Sequence, residues 1–569
     1  MNHPSEEQTQ VIDASVEPLS VIACAGSGKT FTAVRRLANI RQKLGNHRGR
    51  VALLSFSNVA VDTFRKEYQD LGLSSNVNNR VDIDTLDTFI TSNVLRPHAY
   101  RTMGAQQTAF LVTGGEAFLK GFTFQTDPYP RAINEMQVGI DAGGVYFCYS
   151  DIKSEMHRLN TAQAADVVHR LGRIGAYTHN LGRYWCYRTL ADQPGILRAL
   201  VRRYPHILID EAQDIGTVHQ VIIEQLVSAG CQVSLIGDPN QGIYEFASAD
   251  GAFLSKYGQR DGVNSLELKR NFRSVPPILD LANHLAGRTD AADREAPDTV
   301  HGTFFVAYGK NDREQLIVSF QRAVEAAGLR LERSAVLCRG RKQADKLAGN
   351  KGAPGWGIVK RFTQAAILRE RFKDYQGAFR LVAIGIVNLL VDAPNGMLAK
   401  LTSQREDQAL RRLIWAFTRN PDMGLPGVSL NGKAQWHPLL LNRVKTLLAK
   451  INKDCGLTSV DKLGSKLTTR DLPDGPLLST ADLNGNNYRP RIRVDTVHQA
   501  KGESLDAVLY LTNKEHAEGL MNGVDTEIGR IGYVAVTRAR NLFWLGVPAS
   551  ALVDLRPGLL DLGFQETEA

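Results

Sequence analysis

Ser20-Val-Ile-Ala-Cys-Ala-Gly-Ser-Gly-Lys-Thr30 is the stretch on which the reading of this chain turns. Ser20, Val21 and Ile22 make a short run of the kind buried in parallel sheets, and a helical pattern begins at Phe31. Between them Gly26 and Gly28 let the backbone turn tightly. The N–H groups of Ala25, Gly26, Ser27 and Gly28 can then point at a phosphate on the N-terminus of the coming helix. Lys29 can reach the β- and γ-phosphates of a nucleotide, and the Thr30 hydroxyl can bind Mg2+. Ala23 stands where the generic pattern has Gly. An isolated octapeptide can match by chance, but one set between a strand and a helix points to a phosphate loop.

The same strand–loop–helix rhythm recurs along the chain. Val51-Ala-Leu-Leu54, Ile207-Leu-Ile209, Val233-Ser-Leu-Ile236 and Ala507-Val-Leu-Tyr510 are aliphatic runs, each followed by polar or Gly residues and a helical pattern. The expected fold class is α/β, with doubly wound parallel sheets whose ligands sit at the carboxyl ends of the strands. Two tracts break the rhythm, at residues 91–185 and 341–489. Both read as mainly helical insertions. The expected layout is a first α/β domain from residues 1–90 and 186–275, and a second from 276–340 and 490–569.

At 569 residues the chain is too long for one ordinary domain, and 43% hydrophobic with 22% charged residues is a soluble globular balance. The net charge of +9 favours a polyanionic partner only weakly. The charge is concentrated: Arg339 to Arg380 holds eleven Lys or Arg against three acids. That tract reads either as a solvated helical face or as a phosphate-tracking surface. Six scattered cysteines, with no C-x-x-C pair, exclude a zinc-type spacing and predict reduced thiols. No leader pattern opens the chain, and the longest apolar stretch, Leu381 to Val391, is broken by Asn388. The expectation is a cytoplasmic protein with no membrane partner.

Ile207-Leu-Ile-Asp-Glu-Ala-Gln-Asp214 supplies the second half of a nucleotide site. Asp210, at the end of an apolar strand, is placed to hold the metal through water. Glu211 can orient and deprotonate the attacking water. A motor also needs a γ-phosphate sensor and arginines from across a cleft. Gln241 in Gly237-Asp-Pro-Asn-Gln-Gly-Ile-Tyr-Glu-Phe246, Arg273 in Asn271-Phe-Arg-Ser274 and Arg538 in Val534-Ala-Val-Thr-Arg-Ala-Arg540 fill those roles.

The ordered set resembles a superfamily 1A helicase of the UvrD/PcrA/Rep type. Gln8 stands at the adenine-reading glutamine. Leu54-Ser-Phe-Ser-Asn-Val-Ala60 is similar to T-F-T-N-K-A, Thr85-Leu-Asp-Thr-Phe89 to T-F-H-S-F, and Thr496-Val-His-Gln-Ala-Lys-Gly502 to T-x-H-x-x-K-G. The resemblance implies two RecA-like domains with insertions 1B and 2B, and ATP and Mg2+ as cofactors. It also implies 3′→5′ movement on single-stranded and tailed duplex DNA. By the same resemblance Phe272 stacks on adenine and Glu503 is a candidate ribose-binding acid. Phe56, Asn58, Thr85, Tyr244, Phe246, Thr496 and His498 contact the strand, core packing being the competing reading for Tyr244. Asp87 replaces the usual His, and Phe31 replaces the Arg commonly found after G-K-T. The chain stops soon after the Arg538 block, and its Lys501-Gly-Glu-Ser504 resembles helicases that accompany a separate nuclease, including the partner of OLD-family nucleases in Gabija anti-phage defence. A processive helicase, a translocase or end sensor beside a nuclease, and a non-catalytic scaffold are the competing classes; intact Lys29, Asp210, Glu211 and Arg538 disfavour the last.

Overall fold

The computed structural model describes residues 3–72, 80–112, 114–127, 129–151, 155–243, 251–309, 312–347, 353–391, 393–404, 407–478 and 492–568. Six strands form the first sheet: β1 (Leu19–Ala23), β2 (Val51–Ser55), β3 (Val81–Thr85), β4 (His206–Ile209), β5 (Gln232–Gly237) and β6 (Asn264–Leu268). Their order is β6-β1-β5-β4-β2-β3 and every pair is parallel. Both faces are covered, which is why the strands read as continuous aliphatic runs. Val51, Leu53 and Leu208 pack with Val34 and Leu37 on one face, while Leu54, Ile207 and Ile209 enter the core on the other. Ile22 is level with Gly237, and Leu54 with Ile209. The loops after β1, β5, β4 and β2 therefore leave along one edge.

The second sheet repeats the design with β7 (Gly302–Tyr308), β8 (Ser334–Cys338), β9 (Arg493–Thr496), β10 (Leu505–Leu511), β11 (Ala539–Pro548) and β12 (Gln565–Glu566). The order is β9-β8-β10-β11-β7-β12, again all parallel.

The two interrupting tracts differ. The first holds the helices Arg96–Thr102, Thr161–Arg173 and His179–Asp192. It also holds an antiparallel sheet of Gln137–Asp141, Gly144–Ser150 and Met156–Arg158 that its helical pattern does not announce. The hairpin signal is there, two residues, Ala142-Gly143, between strands. The helix His179–Asp192 runs through residue 185, the expected end of the insertion. The second tract is helical, with Gly357–Glu370, Tyr375–Val387, Gln408–Arg419 and His437–Cys455 around buried Trp436, Phe362 and Phe379. Among the described residues no helix is long and apolar enough to cross a membrane. All six cysteines are free thiols.

Candidate active site

Gly26 and Gly28 have φ of 79° and 77°, the left-handed region that glycine enters without strain. Space demands glycine as well. A Cβ on Gly26 would lie 2.5 Å from Arg273 Cβ, and one on Gly28 2.7 Å from Gln8 Nε2. The helix Lys29–Lys43 opens at this loop with no side-chain cap on its first N–H groups, the arrangement that receives a phosphate. Lys29 Nζ lies across the loop, 3.3 Å from the Cys24 carbonyl.

Two segments close on the loop from the outside. Gln8 caps its own helix through Ser5 N–H and donates to Ser27 O at 2.9 Å, and two of its four amide hydrogen-bonding positions remain. Phe272 N–H donates to Gly26 O at 3.0 Å and Asn271 Nδ2 to Ala25 O at 2.5 Å. The half-buried Phe272 ring is thus fixed beside the loop by its backbone.

The acids follow β4. Asp210 is 2% exposed, and its Oδ1 is buried without a hydrogen-bond partner. An orphaned carboxylate oxygen beside Thr30, which lines the same cavity, fits a hard divalent cation with oxygen ligands. Burial and the neighbouring Glu211 push Asp210 up to about 7. Burial would raise Glu211 too, but Lys29 and Lys501 outweigh it and its pKa is lowered. Glu211 is thereby kept ionised, and a divalent cation bound at Asp210 would hold that carboxylate ionised as well. Glu211 also has φ of 54°, rare for a side-chain-bearing residue and met at functional sites. Gln213 Nε2 holds its carboxylate.

Groups from the second sheet complete the site. Arg538 ends the helix Glu527–Arg538, just before β11, and is 2% exposed. Its Nη2 donates to Gln241 Oε1 at 2.8 Å and its Nη1 to Glu503 O at 3.2 Å. Gln241 donates in turn to Asp238 Oδ2 at 2.9 Å. Arg273 Nη1 donates to Thr537 O at 2.7 Å. Burial and the adjacent Arg538 push Arg273 down to about 9. Two guanidinium groups held this close gain from an anion between them. Lys501 ties the halves together: Nζ lies 2.6 and 2.8 Å from the Asp214 carboxylate and 2.8 Å from Gln241 O.

A cavity of about 760 Å³ runs from Thr30, Asp210 and Glu211 past Phe56 and His219 to His498 and Glu503. Phe56 is half-buried, whereas Asn58, the first residue of the helix Asn58–Asp70, is exposed. Thr85 and Thr496 occupy equivalent places, each ending an edge strand and capping a short helix. Their hydroxyls also donate to Thr88 Oγ1 at 2.7 Å and Gln499 Oε1 at 3.1 Å. His498 Nε2 is 3.1 Å from Ile243 O. Glu503 is paired with Arg493 at 2.9 Å. Tyr244 and Phe246 lie outside the described residues.

Three features of the site do not follow from the sequence reading. Arg35 lays its guanidinium over Phe31, 3.3 Å from the ring centroid, restoring a cation where Phe31 replaces one; the i,i+4 spacing is the available signal. Lys501 stands in a family-like block, but nothing local assigns it the bridge to Asp214. Asp87 has partners far away in the chain.

A family model described as the UvrD/REP helicase N-terminal domain matches residues 4–126 and 134–260. The ATP-dependent DNA helicase PcrA of Staphylococcus aureus is 20% identical over 639 residues, 98% of this chain and 85% of that protein. Residues 4–126 and 134–260 are thus a UvrD/REP helicase N-terminal domain. The putative ATP-dependent DNA helicase YjcD of Bacillus subtilis is 23% identical over 359 residues, 58% of this chain and 45% of that protein. An ATP-dependent helicase/nuclease component of Natranaerobius thermophilus is 38% identical over 113 residues, 18% of this chain and 9% of that protein. The chain thus spans less than half the length of the Bacillus relative and a small part of the Natranaerobius one. The matched UvrD/REP domain ends before Arg273, Lys501 and Arg538. The contacts of Lys501 with Asp214 and of Arg538 with Gln241 join the matched part to the rest.

Proposed function

We propose that this chain is an ATP-driven DNA helicase that moves 3′→5′ on single-stranded DNA and opens tailed duplexes. One observation carries the reading: Arg538, from the second sheet, reaches Gln241 at the edge of the first, beside Glu211 and Arg273. A triphosphate on the loop of Ala25 to Gly28 would meet Lys29 from one side and both arginines from the other. Glu211 is the ionised group able to take a proton from the attacking water. Arg273 and Arg538 stabilise charge that builds on the γ-phosphate. Thr30 and Asp210 would hold Mg2+, which supplies charge neutralisation when bound. Once the γ-phosphate leaves, the arginines lose their shared anion and the sheets can part. Grip on the strand then passes between Phe56 on the first sheet and the His498 segment on the second. Similarity to PcrA over 98% of the chain supports DNA as the track, and the resemblance supports the polarity.

A second reading places the motor beside a separate nuclease, and the short similarity to the Natranaerobius helicase/nuclease supports it. ATPase with and without single-stranded DNA, then unwinding of 3′-tailed, 5′-tailed and blunt duplexes, tests both, with Lys29→Ala as control. Stimulated ATPase with unwinding from 3′ tails is expected. Unwinding only from 5′ tails overturns the polarity, stimulation without unwinding favours the nuclease-linked reading, and ATPase indifferent to nucleic acid defeats the motor.

A further inference from the structure

Asp87 sits in the short helix Leu86–Ile90 that follows β3. Its carboxylate gathers groups from two distant helices. Arg183, on His179–Asp192, donates Nε to Oδ1 at 2.8 Å and Nη2 to Oδ2 at 2.7 Å. His219, on Thr217–Ser228, is 2.9 Å from Oδ1 through Nε2. His179 stands further out, 3.7 Å from Oδ2. His219 is almost fully buried, and its ring meets Phe56 edge-on, with centroids 5.7 Å apart and planes at 76°. Phe56, His219 and Arg183 all face the cavity. On its other side Tyr146 lies across Gly139, where a Cβ would meet the ring at 2.3 Å.

The proton positions follow. Burial would raise Asp87, but Arg183 and His219 hold it well below the ordinary carboxylate range. An ionised carboxylate only accepts, so the His219 proton is on Nε2. Burial and Arg183 keep His219 below its usual range, against the pull of Asp87, so the ring is neutral at neutral pH. The Asp87–Arg183 pair is bidentate and its charges cancel. The rings of Phe56 and His219 face the cavity beside this neutralised pair, and an uncharged ring suits a base.

We propose that Asp87, acting through His219, sets from beneath the ring of Phe56, the strand contact already proposed on this wall. Asp87 is a positioning residue, and the inference rests on the strand-tracking function proposed above. The test uses the full chain and an oligothymidylate, some copies carrying 2-aminopurine. The readouts are the half-saturating oligonucleotide concentration for ATPase, the maximal rate, and 2-aminopurine quenching. Asp87→Ala is expected to raise half-saturation about tenfold, in the range of one lost base stack, with the maximal rate within about twofold. Quenching should weaken, and Asp87→Asn should recover most of both. Phe56→Ala should give the same loss, and the double variant no more than Phe56→Ala alone. If Asp87→Ala does not fold, His219→Phe, which keeps the bulk and lacks the donor, enters the same cycle. Losses that multiply, or unchanged half-saturation in a variant whose parent responds to DNA, overturn the inference. A parent that ignores the oligonucleotide overturns the strand-tracking reading instead.

Discussion

The two insertions meet the motor body in opposite ways. The first shares a core with its parent sheet: Trp185, Phe147 and Leu181 lie in one buried cluster with Leu54, Ile209 and Leu235. Its antiparallel sheet then lines the cavity through Val138, Tyr146 and Met156. The second keeps its own core around Trp436, Leu440 and Phe362. It touches the first across a narrow seam, where Asn388 Nδ2 donates to Gly115 O at 2.8 Å and Ala399 joins the neighbouring core. An insertion welded to a catalytic sheet can form a wall of a binding site. One with a separate core can carry charge without constraining the chemistry. The basic tract sorts the same way. Arg369 is buried and donates to the carbonyls of Thr418, Leu425 and Pro426, so it is structural, whereas Lys360, Lys373 and Arg380 are exposed. Lys351 lies outside the described residues.

The largest effect should come from emptying each core. Trp185→Ala and Trp436→Ala should each cost about 3–5 kcal/mol, since both rings are almost fully buried. Trp185→Ala should lower the main calorimetric transition and ATPase together. Trp436→Ala should lower a separate transition and spare DNA-stimulated ATPase. Parallel loss of ATPase in both would break the comparison. An intermediate effect is expected from replacing Lys360, Lys373 and Arg380 together by Gln. If all three contact phosphates, the slope of log affinity against log salt for duplex should fall by up to about 2.7, with half-saturation by single strands unchanged. A flat response would assign those charges to solvent. The smallest effect belongs to the seam. Asn388→Ala should cost about 1 kcal/mol and broaden the distance distribution between dyes on the two insertions; an unaltered distribution would mean that other contacts fix them.

Much of this architecture is legible in the chain because it is local. Aliphatic runs such as Val51 to Leu54 announce strands covered on both faces. Gly26 and Gly28 announce positive φ, and a strand ending in Asp210 announces a carboxylate at the sheet edge. What escapes is set by distant contacts. Nothing near Asp87 indicates that Arg183 and His219 will converge on it. Glu211 adopts a left-handed conformation that its sequence neighbours do not require. The hairpin at Ala142-Gly143 is legible, but the helical pattern around it masks the signal. Glu503 lines the cavity but is paired with Arg493, ten residues back at the start of β9.

In the proposed mechanism a guanidinium from the second sheet acts on a nucleotide held by the first. Single-turnover ATP hydrolysis by Arg538→Ala, saturated with single-stranded DNA and melting like the parent, is the most direct test. The predicted result is a rate lower by about 10³-fold or more, with ATP affinity changed only a few-fold. A rate near that of the parent would contradict it.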